Sequence, residues 1–151
     1  MTDPSRPPGI AISQVFLEEA SFSHRADALA LPLDTKPELG DIEITVEAGL
    51  RPDRKAGLLR LSAATRPEAE PLYSVRVRMA GLFEEQGGSE NMSMVDFLGD
   101  SAPALLFPFL REAFANITSR GRFGPVWLNP INTRAFSEAF KKNLATLDAG
   151  G

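Results

Sequence analysis

From Ala104 to Ile117 the chain reads ALLFPFLREAFANI, apolar nearly all round in its first half and amphipathic later through Leu110, Ala113, Phe114 and Ile117. A helix apolar on all sides has to be buried on all sides. A chain of 151 residues is hard pressed to cover such a helix alone, so the stretch predicts assembly into an oligomer through this element. Pro108 is expected to kink the helix, and Gly121, directly after Arg120, to end it in a left-handed cap.

The residues before this helix read as strands. Ile10 to Phe22 mixes apolar and polar positions and predicts an irregular strand with room for a bulge. Ser23 to Gly40 is broken by Pro32 and Pro37 yet carries Leu29, Leu31 and Leu33; a long connection of that composition is often functional, which makes its leucines candidates for a binding lip. Ile42, Ile44, Val46, Ala48 and Leu50 then alternate with Glu43, Thr45 and Glu47, the period of a strand with one wet and one buried face. A polar turn at Arg51 to Lys55 leads into a strand over 57–64 that pairs back as a hairpin. After another turn, Tyr73, Val75, Val77 and Met79 alternate with Ser74, Arg76, Arg78 and Ala80.

Past a turn at Gly87 and Gly88 the pattern becomes helical, first at Met94 to Leu98 and then from Ala104. An extended piece over 123–130 holds Trp127, and a last amphipathic helix is expected from about Asn132, with Phe136, Phe140, Leu144 and Leu147 on one stripe. Strands first and helices last describe an α+β domain, helices laid on a four-stranded antiparallel sheet. The expected organisation is one domain over 10–146 between flexible tails, 1–9 and 147–151.

Composition removes several function classes. There is no cysteine, so no disulfide framework and no thiolate metal site. A net charge of −4 opposes nucleic-acid binding, which needs a basic face. The first nine residues lack the apolar core of a signal peptide, and every apolar run stops short of the about 20 residues of a membrane span, so a cytoplasmic protein with no integral membrane association is expected. Phosphate-loop, dinucleotide, zinc-protease and calcium-loop patterns are missing, and no cofactor or metal is expected. The single histidine, His24, has no announced catalytic partners. The Glu18 and Glu19 pair should point to opposite faces of its strand, which makes a shared acid and base site awkward. An enzyme is therefore not expected.

The stretch APALLFPFLREAFANITSRGRF, followed by VWLNPINTRAF, resembles the C-terminal signature of the SecB family. The matching positions are Ala102, Pro103, Leu106, Phe107, Pro108, Phe109, Arg111 and Glu112, then Ser119, Arg120, Gly121 and Phe123, then Pro130, Ile131 and Asn132. The resemblance persists upstream in the strand order, the proline-broken crossover and the Ala80-Gly81-Leu82-Phe83 step, and spans roughly 10–144. It implies a homotetramer, a dimer of dimers with joined sheets and the long helices between them. It also implies an ATP-independent holding chaperone that takes unfolded or nascent polypeptides into apolar grooves, keeping preproteins competent for export. By position the groove would involve Leu29, Leu31, Leu33, Trp127, Leu128 and Phe136.

Members of this family dock on the SecA motor through acidic residues on the outer sheet face, and the matching positions here are Glu19, Ser23 and Arg76. Only Glu19 keeps the charge, and Arg76 would repel a basic partner, so SecA docking is expected to be weakened. That leaves open a solitary SecB-like chaperone for a narrow client such as an antitoxin. A binding module for a small apolar ligand, closed by Trp127 and the loop leucines, is the rival from another class.

Overall fold

A computed structural model describes residues 9–86 and 92–130. Four strands come first: β1 (Ile10–His24), β2 (Ile42–Leu50), β3 (Ala56–Thr65) and β4 (Tyr73–Glu85). They form one antiparallel sheet in the order β1-β4-β3-β2. Two helices follow, α1 (Met94–Asp100) and α2 (Ala102–Thr118), which is the α+β class read from the sequence. The expected last helix with Phe136, the Gly87 and Gly88 turn, residues 1–8 of the N-terminal tail and the whole C-terminal tail lie outside the described residues.

Alternation builds the sheet as the period of two requires. On β4, Tyr73, Val75, Val77, Met79 and Phe83 are buried while Ser74, Arg76 and Glu84 face solvent. Leu59, Leu61 and Ala63 of β3 continue the buried face, and α2 lays Leu106, Leu110 and Phe114 onto it. Each such side chain contributes about 1.5–3 kcal/mol by leaving water. The Ser93 hydroxyl caps α1 by accepting from the Asp96 N–H at 3.2 Å. Among the described residues no helix is long and apolar enough to cross a membrane.

β1 carries two bulges. The pairing with β4 slips between Ile12 and Gln14 and again between Leu17 and Glu19, leaving Ser13 and Glu18 as the extra residues. Leu17 pairs with Met79 on the inner face and Glu19 with Arg78 on the outer one, and Glu18 turns outward beside Glu19. Both carboxylates reach the same guanidinium, at 3.4 and 3.7 Å from Arg78 Nη1. The expectation that this pair faces opposite ways is corrected by the bulge, which cancels the alternation for one step.

The left-handed cap expected at Gly121 is also corrected. Gly124, with φ of 91°, is the left-handed glycine after α2. Gly121 serves close approach instead: a Cβ there would lie 2.5 Å from Cζ of Tyr73. The helix runs through Pro108 as one element.

One face of α2 has no cover. Leu105 and Phe109 are 43% and 42% exposed, so the described fold buries the helix on one side only.

Candidate functional site

Two irregular segments meet at one end of the sheet: the crossover between β1 and β2, and the extended piece after α2. Both are held by hydrogen bonds where no ladder exists to hold them. Arg122 is the main tie to the crossover. Its Nη1 donates to the carbonyls of Ala28 and Leu31 at 3.2 and 2.7 Å, and its backbone N–H donates to Nε2 of His24 at 3.0 Å.

Tyr73, at the start of β4, holds the next two residues. Its hydroxyl accepts from the Phe123 N–H at 2.7 Å and donates to the Gly124 carbonyl at 3.1 Å. The ring packs edge-on against His24 and is tilted on Phe22. Further along, the fully buried hydroxyl of Thr118 donates to the Phe114 carbonyl and accepts from the Val126 N–H at 2.9 Å. Arg111 completes the set, with Nε donating to the Leu128 carbonyl at 2.9 Å.

His24 therefore has a structural task, as a hydrogen-bond acceptor and a ring in an aromatic cluster. Beside it, Arg25 forks onto Asp27 at 2.6 Å. The hydrogen bond from Arg25 holds the Asp27 carboxyl below its ordinary range. In the β2–β3 turn, Arg51 does the same for Asp53, helped by the Lys55 backbone N–H.

The frame presents some of the expected groove residues and hides others. Leu29 and Leu33 stand 82% and 77% exposed, and Trp127 is 53% exposed. Leu31 is half-buried against the core. Leu128 points into the core and is 4% exposed, so its side chain is not presented at the surface. Phe136 lies outside the described residues.

A groove of about 500 Å³ runs between the end of the crossover, the start of β2 and residues 126–130. Trp127 and Leu128 line it, but Leu29, Leu31 and Leu33 do not. Its other apolar walls are Leu39, Ile42, Ile44 and Val126, and its rim carries Asp41, Arg66 and Asn129. Arg66 is paired with Glu43 at 3.3 Å. The alternation had placed Ile42 and Ile44 on the buried face without showing that β2 is the outermost strand, where that face runs out from under the helices.

A second groove, of about 390 Å³, lies between the inner face of β1 and β4 and the flank of α2, with Leu17, Met79, Phe109 and Ile117 among its walls. Leu17 is 53% exposed. This groove continues the uncovered face of α2.

On the outer sheet face Glu19 stands opposite Arg78, Ser23 opposite Ser74 and Arg76 opposite Ser21. Glu18 accepts from Arg60 Nε at 2.9 Å as well as approaching Arg78, so both acids are tied to arginines. Arg76 is exposed and makes no ion pair with a described residue. No cluster of metal-ligating side chains exists among the described residues.

The model of the family described as preprotein translocase subunit SecB matches residues 3–146. The protein-export protein SecB of Cellvibrio japonicus is 33% identical over 129 residues, 83% of this chain and 74% of that one. Its counterpart in Bartonella quintana is 30% identical over 141 residues, 91% of this chain and 85% of that one. Among solved structures, the Mycobacterium tuberculosis Rv1957 SecB-like chaperone, in complex with a ChAD peptide from the Rv1956 HigA1 antitoxin, superposes with a TM-score of 0.59 at 18% identity. The match covers 81% of this chain and 90% of that one; at that identity it speaks to the fold.

Proposed function

The chain belongs to the SecB family of protein-export chaperones, and from that premise we propose that it is an ATP-independent holdase that keeps unfolded polypeptides in an exposed apolar groove. The observation that carries this reading is Trp127, half exposed beside the groove and supported by a hydrogen-bonded frame. Exposed apolar surface binds apolar client segments without directional demands, at about 25 cal/mol per Å² buried, so promiscuity follows from the chemistry. Leu29 and Leu33 add exposed apolar side chains on the crossover, while Leu31 packs against the core.

The working form in this reading is a cytoplasmic homotetramer, a dimer of dimers. What favours assembly is the uncovered side of α2, with Leu105 and Phe109, together with the apolar groove beside β1. Clients are unfolded or nascent preproteins.

A second reading is favoured by the outer sheet face. Glu18 and Glu19 are engaged with Arg60 and Arg78, Ser23 carries no charge, and Arg76 adds a positive one. A basic segment of SecA would find little free negative charge there. In this version the chain holds a narrow client, such as an antitoxin, without docking on SecA.

Light-scattering mass after size exclusion, with and without a chemically unfolded, slowly refolding client, tests the proposal. A tetramer that carries the client is the expected result; a monomer that leaves the client to aggregate would overturn it. Association with SecA at low salt then separates the two versions.

A further inference from the structure

His24 is the one histidine of the chain, and its ring closes a joint between segments far apart in sequence. Nε2 accepts the backbone N–H of Arg122 at 3.0 Å, so the ring in this bond is neutral, with its own proton on Nδ1. The imidazole is oriented by two edge-on aromatic contacts, with Phe22 and Tyr73, at centroid distances of 5.1 and 5.3 Å. Arg122 in turn donates from Nη1 to the Ala28 and Leu31 carbonyls. The first residues after α2 are thereby tied by backbone to the end of β1 and by side chain to the crossover.

Protonation removes the backbone tie outright. Imidazolium carries an N–H on both nitrogens and no free lone pair, so the Arg122 N–H would face another donor. Turning the ring over cannot restore the bond, because either nitrogen then donates. The ring is exposed at the end of its strand, open to solvent protons.

The charges of this corner offer the protonated ring no ready partner. From the crossover, Asp27 is already forked by Arg25 at 2.6 and 3.1 Å. From the turn before β4, Glu70 presents its carbonyl to the same guanidinium at 2.9 Å. From β4 come the uncharged Tyr73 and Ser74, and the Tyr73 hydroxyl is engaged with Phe123 and Gly124. The segment after α2 brings only cations, Arg120 and Arg122, the latter 4.9 Å over the Phe123 ring.

We propose that His24 is a proton-operated latch. Neutral, it holds the Arg122 backbone against the end of β1; protonated, it lets that amide go. Imidazole ordinarily changes charge between about pH 5 and 8, so the tie is present on the alkaline side and lost on the acid side. The Arg122 side chain and the Tyr73 hydroxyl still hold their carbonyls and amide, which makes the release a local opening within a folded protein. The inference goes beyond the client-holding reading, since the joint opens or stays shut whatever the segment binds.

The test uses the full-length, tag-free protein, in which imidazole NMR signals come from His24 alone. Hydrogen exchange resolved to single residues is followed from about pH 5 to 8, each rate divided by the intrinsic rate at that pH. Protection at Arg122 is expected to fall about tenfold toward acid, with the same midpoint as the imidazole signal, while Val77 in the core of β4 keeps its protection. His24→Gln supplies a carbonyl acceptor at every pH and should flatten the response. His24→Lys has donors only and should hold Arg122 at the low, acid-like protection throughout. The primary readout is on the wild-type protein, so a variant that fails to fold leaves the test intact. Constant protection at Arg122 while the imidazole titrates would overturn the latch, as would a pH response that persists in His24→Gln; the holdase reading stands in either case.

Discussion

The His24 imidazole accepts a hydrogen bond at 3.0 Å from the backbone N–H of Arg122, a residue 98 positions further along the chain. The contact joins the end of β1 to the segment that carries the candidate client surface. His24→Ala removes the acceptor and the ring packed on Tyr73. A loss of about 1–2 kcal/mol is expected in chemical denaturation, together with faster hydrogen exchange at Arg122 and Phe123. Unchanged exchange at those two amides would mean that the bond does not hold the segment.

Gly121 leaves no room for a side chain against Tyr73. Gly121→Ala should cost about 1–3 kcal/mol through displacement of the ring or the backbone, read as a lower denaturation midpoint at unchanged slope. Gly124→Ala tests a different requirement, the left-handed backbone, where the space is open; its cost should be about 1–2 kcal/mol.

Asp27 supplies a pH signature with a definite sign. Its carboxyl is held below the ordinary range by the Arg25 hydrogen bond, so its contribution is present above about pH 4, where the unfolded carboxyl is ionised. It is lost as pH falls through the lower, folded value. Relative to wild type, Asp27→Asn should show a constant offset in stability near neutrality that shrinks in acid. Both groups of this pair are solvent-exposed, so the effect should be small. An offset that grows in acid would contradict the assignment.

Arg76→Glu replaces the exposed positive charge on the outer sheet face with a negative one. Titration calorimetry with SecA at low salt should show tighter association for this variant than for wild type, and the gain should fall as salt rises. Equal affinities would mean that this face takes no part in SecA docking.

Phe109→Glu puts a charge on the uncovered side of α2. The assembled mass measured by light scattering should drop to that of a smaller species, while the helix content of the protomer is retained. A tetramer that survives this change would be built through other contacts.

Much of the scaffold was legible because it rests on periodicity. The alternations over 42–50 and 73–79 located β2 and β4, and the dense apolar run located α2. What stayed hidden depends on partners distant in sequence. The mixed pattern over 10–22 left room for a bulge, but no local pattern places the bulges at Ser13 and Glu18, because a bulge is defined by the strand opposite. Leu128 and Trp127 are adjacent, yet one is buried and the other exposed; hydropathy does not separate them, whereas the tie from Arg111 does. Gly121 was recognisable as important from the Ser-Arg-Gly-x-Phe run, but its reason is a tyrosine on another element. The role of His24 required the end of β1 and the residues after α2 to be seen side by side.

The bonds that join the crossover to the segment after α2 close some of the longest loops in the fold, with 91 to 98 residues between partners. Such closures become favourable only once intervening structure has brought the ends together, because their entropic cost precedes any reward. The proposed client surface is therefore expected to be completed late in the protein's own folding, after the sheet and α2 are in place. On that proposal a nascent protomer would lack a finished grip, which would limit its capture of its own unfolded segments or those of neighbouring copies.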